Sequence, residues 1–204
     1  MNFPDWNVPT PDEAAFLPGL ASDGILLRPY QPADALAVAE AVHASHVEIG
    51  RWLSWCHPRY GLTDAESFVM SRTAAWTRSE EFAFAITNES DGRFLGTCGL
   101  NEINKLHRCA NLGYWVRTDA TSRGVASTAA RLLARFGIMH LGFQRIEIVA
   151  AVGNVASQRA ALKAGATREG LLRNRLSIHD VSHDAIMFSI VPSDIETPRP
   201  GSPT

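Results

Sequence analysis

The segment Arg117-Thr118-Asp119-Ala120-Thr121-Ser122-Arg123-Gly124-Val125-Ala126 holds the groups best suited to gripping an anion. It leads into apolar residues at helical spacing: Val125, Ala129, Leu132, Phe136 and Met139. The first amides of a helix have no intrahelical acceptor, and the helix dipole adds positive potential there. A pyrophosphate suits such a place. Gly124 brings no Cβ to obstruct close approach, and Ala126 keeps the next position small. Ser122, Ser127 and Thr128 add hydroxyls, and Arg123 adds charge. The same residues also fit a plain strand-to-helix turn. They lack the Gly-Lys-Ser/Thr ending of a nucleotide P-loop and the glycine fingerprint of a dinucleotide fold.

A second group of chemically able residues is Asn154, Ser157, Arg159 and Lys163. Asn154 is a good helix cap, and Ser157, three residues on, is either part of that cap or a hydroxyl free to meet a developing anion. Arg159 and Lys163, spaced i, i+4, form a basic helical face that points either to phosphates or to water. Cys98 and Cys109 have no Asn/Asp-His pattern beside them and read as core thiols. Glu102 and His107 are candidate general bases. Trp52 and Trp55, in Trp52-Leu53-Ser54-Trp55, are either core or the wall of an acceptor cleft. No Cys/His/Asp/Glu cluster has ligand spacing, so no metal is expected.

The elements that must position these groups follow from pattern. Ile25-Leu26-Leu27-Arg28 reads as a strand ended by Pro29, and Pro32 can open a helix bearing Leu36, Ala39, Val42 and His46. Thr63-Asp64-Ala65-Glu66 fits a capping box ahead of Phe68, Val69, Thr73 and Trp76. Phe82–Ile86 and Phe94–Cys98 flank Ser90-Asp91-Gly92, a hairpin signal. Ala110–Val116 is a further strand. After the long helix, with Gly142 as its stop, Ile146, Ile148, Ala150 and Val152 return to period two. A helix between Asn154 and Gly165 and two late strands, near Leu171–Ile178 and Ala185–Val191, close the chain. The order gives a mixed α/β sheet. The proline-bearing residues 1–22 read as an extended arm or loose cap, 23–192 as one domain, and 193–204 as a frayed tail.

The chain has 204 residues, 46% apolar and 20% charged, with a formal net charge of -2. That suits one domain with an ordinary core and disfavours a nucleic-acid binder. The first residues show neither a basic nor an apolar region of a secretory leader, and no apolar stretch is long enough to span a membrane. Cys56, Cys98 and Cys109 are scattered and odd in number, which points to a reducing cytoplasm.

The loop at 121–126, the preceding Leu112-Gly113-Tyr114-Trp115-Val116, the following Asn154-Val155-Ala156-Ser157 and Lys163-Ala164-Gly165-Ala166 together resemble the GNAT superfamily of acyl-CoA-dependent N-acetyltransferases. The Trp52–Trp55 segment resembles its ribosomal-protein N-terminal acetyltransferase branch, of RimJ/RimL type. The likeness spans about residues 23–192, with Thr121 standing where the family has Gln or Arg. It implies a mostly antiparallel twisted sheet, flanked by helices, whose central parallel strands, near 112–117 and 145–152, splay apart. The pantetheine of acetyl-CoA would lie in the splay and pair with the backbone of Trp115 and Arg117, with Val116 between them. The pyrophosphate would rest on the amides of Ser122, Arg123, Gly124, Val125 and Ala126, beside Ser127, with Arg159 and Lys163 toward the phosphates. Asn154 would bond the pantetheine. Ser157 would be the donor to the leaving thiolate, because the family's usual tyrosine position is Ala161. The family's carboxylate positions hold Asn111 and Leu176. A missing base suits an α-amine, with a pKa of about 7.7–8.0, better than a lysine near 10.4. The implied activity is transfer of acetyl to a primary amine, such as a protein or peptide N-terminus, by direct attack. The alternative is a CoA-binding sensor or partner module without catalysis. A homodimer is a compatible assembly.

Overall fold

A computed structural model describes residues 8–15 and 19–196. A short helix, α1 (Pro11–Ala15), precedes strands β1 (Ala21–Ser22) and β2 (Ile25–Pro29). A single 3-10 turn at Pro32–Asp34 then leads into α2 (Ala35–Gly50), and α3 (Leu62–Thr77) follows. Three antiparallel strands come next: β3 (Phe82–Asn88), β4 (Phe94–Asn104) and β5 (Cys109–Val116). The long helix α4 (Val125–Met139), β6 (Arg145–Ala151), α5 (Val155–Ala164), β7 (Thr167–Ile178), β8 (Val181–Ile190) and α6 (Pro192–Glu196) complete the order.

The sheet runs β1-β2-β3-β4-β5-β6-β8-β7, and every neighbouring pair is antiparallel except β5–β6. Those two pair in parallel at Cys109–Arg145, Ala110–Ile146 and Asn111–Glu147, and no further. Beyond Asn111 they separate. β5 stays bonded to β4 as far as Val116, while β6 stays bonded to β8 as far as Ala151. The splayed parallel pair is therefore present.

Alternation along the strands feeds two cores. On one face Phe84, Leu100, Leu112, Ile146 and Ile148 pack with Ala129, Leu133 and Phe136 of α4. Gly137 lets α4 settle onto this face: a Cβ there would sit 2.9 Å from Leu100 Cδ1 and 3.1 Å from Ile146 Cδ1. On the other face Val38, Val42, Ala65 and Val69 of α2 and α3 cover Ala83, Ala85 and Phe94.

Three local expectations are corrected. The start of α3 is not the Thr63–Glu66 box. The helix begins earlier, after extended Gly61, whose amide donates to Asp64 Oδ2 at 2.9 Å. The sequence offers hydroxyl and carboxylate caps in two overlapping registers, and the packed one places Asp64 third in the helix. Gly142 stands beyond the end of α4, which closes at Met139. The described part of the proline-bearing arm is tied down: Ala14 and Leu20 are buried in the α4-side core, and Trp76 Nε1 donates to Pro9 O at 2.8 Å. Residues 1–7, 16–18 and 197–204 lie outside the described residues, as does most of the expected tail.

Candidate functional site

The gap between β5 and β6 is framed by the two segments that carry the hydroxyls and free amides. Below β5, Thr118–Ala120 makes one 3-10 turn, and Ser122 and Gly124 both take positive φ, 61° and 83°. Gly124 needs its missing side chain for this conformation. A Cβ would meet no protein atom closer than Ser127 Oγ at 4.0 Å, so a side chain here faces backbone strain and not crowding. The first α4 bond runs from Thr128 N–H to Gly124 O at 2.9 Å, and Ser127 Oγ donates to the same oxygen at 2.9 Å. Among the described residues the amides of Arg123, Gly124, Val125, Ala126 and Ser127 find no acceptor. Several free N–H groups thus cluster at a helix start, an arrangement able to seat an anion. Ser122 and Arg123 are exposed beside it.

Above β6, Asn154 caps α5: its Oδ1 accepts from Ser157 N–H at 3.1 Å. Ser157 Oγ lies 3.1 Å from the hydroxyl of Tyr114, which also donates to Ser157 O at 2.9 Å. This contact joins β5 to α5, the helix that follows β6. Burial pushes the Tyr114 hydroxyl up to about 12, against the pull of Ser157, so it stays protonated at neutral pH. Ala161 is buried on the inner face of α5, while Arg159 and Lys163 are exposed. Tyr114 was not singled out from sequence. Period-two alternation, which sets it opposite Trp115, is the signal that marks it.

Strand polarity corrects the backbone assignment at 115–117. Arg117 N–H donates to Leu95 O at 2.9 Å, so that residue faces β4. Alternate residues point the same way, so Trp115, opposite Thr97, is also turned toward β4. The backbone groups that face the open side belong to Tyr114 and Val116. The Arg117 side chain is turned to Asp119, with Nε 2.7 Å from Oδ1.

The two tryptophans part company. Trp52 is half-buried against Gly153 in the β6–α5 turn, where a Cβ would come within 3.2 Å of its ring. Trp55 lines a cavity of about 180 Å³ with Val38, Tyr60, Asp64, Phe68 and Trp115 on the α2/α3 face. The β7–β8 turn closes over the same region, since His179 N–H donates to Ser54 Oγ at 2.9 Å and its ring Nε2 meets Gly50 O at 2.6 Å. A larger cavity, about 540 Å³, opens on the β2–β4 side of the loop, away from β6, between Asp23, Glu89, Arg93 and Arg123.

The candidate bases are occupied or remote. Glu102 pairs with Arg175 at 3.3 Å, Asn111 Nδ2 donates to Asn101 Oδ1 at 2.8 Å, and His107 sits exposed in the β4–β5 turn. Burial pushes the thiols of Cys98 and Cys109 up, which makes both weak nucleophiles.

Residues 25–167 match the acetyltransferase (GNAT) domain model, and the chain belongs to that family. Its co-substrate is acetyl-CoA, and its activity is the acetylation of amines. The chain is 26% identical to a Bacillus subtilis (strain 168) protein provisionally named ribosomal N-acetyltransferase YdaF, over 86% of this chain and 95% of that one. It is 24% identical to the ribosomal-protein-serine acetyltransferase of Escherichia coli (strain K12), over 67% and 75%. Its fold matches Mycobacterium smegmatis RimJ in complex with CoA-disulfide with a TM-score of 0.78, at 23% identity, over 85% and 84%. Among the described residues no helix is long and apolar enough to cross a membrane.

Proposed function

We propose that the chain acetylates the α-amine of a peptide or protein N-terminus by direct attack on acetyl-CoA laid across the β5–β6 splay. The observation that carries this reading is the Tyr114–Ser157 contact between β5 and α5, the strand that leads to the free-amide loop and the helix that follows β6. The diphosphate rests on the amides of Arg123 to Ser127, and the pantetheine amides meet the backbone of Tyr114 and Val116. The amine nitrogen attacks the thioester carbonyl carbon, the C–S bond breaks, and the amine gives up a proton. Ser157 Oγ–H turns from Tyr114 Oη to donate to the departing sulfur, while Tyr114 Oη–H swings from Ser157 O to donate to Ser157 Oγ. That second bond replaces the phenol the family usually carries where this chain has Ala161.

Among the described residues the carboxylate at the fork of the splay, Glu147, is held by Arg145 Nε at 2.7 Å, so in this reading the acceptor arrives neutral. An α-amine has a neutral fraction of roughly a tenth at pH 7, a lysine far less. The ribosomal proteins named for the relatives fit such an acceptor, in the cytoplasm. The test couples thiol release from acetyl-CoA to a panel of peptides with free and blocked N-termini. Free α-amines are expected to turn over and blocked ones with internal lysines to fail; the reverse pattern overturns the proposal. In parallel, Gly124→Trp is expected to abolish CoA binding in calorimetry with the fold retained. Unchanged affinity removes the loop from the CoA site.

A further inference from the structure

The cavity on the α2/α3 face is walled by aromatic rings set at an angle to one another. Trp55 lies 5.6 Å from Tyr60 and 6.1 Å from Trp115 between ring centroids, with interplanar angles of 57° and 56°. Phe68 lines a further side, edge-on to Tyr30 at 5.4 Å, and its ring already carries the Arg72 guanidinium at 4.6 Å from the centroid. The rings are tilted and not stacked face to face, and aromatic rings that line a cavity can attract a cation through their electron-rich faces. At the rim stands Asp64. One of its oxygens accepts from Gly61 N–H, and no cationic side chain among the described residues pairs with it. Its negative field reaches into the cavity: after burial, Asp64 is the largest cause holding the Tyr60 hydroxyl up at about 12. A field that opposes an anion at Tyr60 favours a cation in the same place. At about 180 Å³ the space is smaller than a site for a whole drug-sized ligand and suits the head of one side chain.

We propose that Trp55, Tyr60, Trp115 and Asp64 form an acceptor subsite for a second, permanently charged ammonium or guanidinium group. This rests on the acetyl-transfer reading above. The reacting amine must be neutral to attack, so the charge held here belongs to another part of the acceptor. Trp115 sits in β5 between Tyr114 and Val116, the two residues that face the splay, so the cage adjoins the transfer point from the opposite sheet face. The acceptor class that follows is a dibasic one, such as a peptide with Lys or Arg next to its N-terminal residue.

The binding test needs no acetyl-CoA. Choline and its neutral carbon isostere, 3,3-dimethylbutan-1-ol, are titrated into the full chain and followed by tryptophan fluorescence. Choline is expected to saturate and to bind at least about tenfold tighter than the isostere, the scale of a desolvated cation–π site with a counter-charge. Asp64→Asn keeps an oxygen for the Gly61 amide, so α3 still starts in place, and is expected to weaken choline about tenfold. Trp55→Leu, at a ring that is 42% exposed, removes one aromatic face without emptying the core and is expected to weaken it severalfold. Equal binding of the isostere, no saturation by choline, or tighter binding of a planar neutral probe such as adenosine overturns the proposal. The kinetic arm compares Ala-Lys-Ala with Ala-norleucine-Ala as acceptors. The lysine peptide is expected to show about a tenfold lower KM at similar kcat, and Asp64→Asn to erase that ratio. A ratio that Asp64→Asn leaves intact overturns the proposal. If neither peptide is acetylated while choline still binds, the transfer reading fails and the cation site stands.

Discussion

At the residue scale the proposed transfer rests on Ser157 and Tyr114, which touch each other from α5 and β5. A hydroxyl that meets sulfur only as charge develops should act on the rate constant and leave ground-state affinity alone. Ser157→Ala is therefore expected to lower single-turnover acetyl transfer by roughly ten- to a thousand-fold with acetyl-CoA affinity nearly unchanged. Ser157 is the donor of the N–H that Asn154 caps, and that bond is backbone, so the alanine variant keeps it. A wild-type rate in the folded variant would reduce Ser157 to a capping position. Tyr114→Phe removes both contacts of the phenol with Ser157, to its carbonyl and to its Oγ, and is expected to slow turnover about tenfold, the worth of roughly 1.4 kcal/mol. The pH dependence belongs to the same scale. With the acceptor arriving neutral, kcat/KM for an α-amine peptide should rise with pH at about tenfold per unit and level off near the amine pKa of about 7.7–8.0. A plateau already reached by pH 6 would reveal a base in the enzyme.

At the element scale, the α2–α3 layer that carries the aromatic cavity hangs from the junction of β2 and α2. Arg28 forks onto Asp34 at 2.7 and 2.6 Å, and Gln31 N–H donates to Asp34 at 2.8 Å. Asp34 is buried and Arg28 keeps a quarter of its side-chain surface. Removing one partner strands the other as an uncompensated charge. Asp34→Ala is expected to cost about 3 kcal/mol, toward the low end for buried pairs because Arg28 is partly wet. A urea titration reads this as a lower midpoint with an unchanged slope. A loss under about 1 kcal/mol would mean that water substitutes for the pair. The same element logic explains the helix starts. Asn154 was readable as a cap because one polar residue stands before one apolar run, whereas Thr63 and Asp64 offered two registers and packing chose between them.

At the scale of the whole molecule, the far end of the sheet is tied by Arg145 on β6, which forks onto Glu169 of β7 at 2.7 and 2.6 Å, while Ser189 of β8 donates to Glu169 at 2.6 Å. These bonds, Arg145 first, hold the Glu169 carboxyl down at about 2, against an ordinary 4.5. A folded-state pKa below the unfolded one adds stability that is present above pH 4.5 and fades as pH falls toward 2. Because the Glu169 side chain is 38% exposed, the gain is held below about 1 kcal/mol. Glu169→Gln is expected to lower the melting temperature slightly at pH 7, with the gap to wild type narrowing steadily below pH 4.5. A gap that stays constant into acid would assign the effect to packing.

Local pattern alone determined much of this protein: the order of strands and helices, α4 with its free amides and Gly124, the Asn154 cap, and the membership of Ser157 in the next helix turn. Each depends on neighbours within a few residues, through helical period, strand alternation or a backbone conformation that only glycine takes readily. Tertiary structure decided the rest. Which backbone groups of β5 face the gap depends on β4 claiming the amide of Arg117, and so on a register set by hydrogen bonds between distant segments. The partnership of Tyr114 with Ser157 spans 43 positions in sequence, and no local rule pairs them. The aromatic cage gathers Trp55, Tyr60, Asp64 and Phe68 onto Trp115 only when α2 and α3 pack on the sheet face opposite α4. Side chains that meet through packing leave no periodic trace in the chain, because the contact is made by the fold's closure and not by the spacing of the residues.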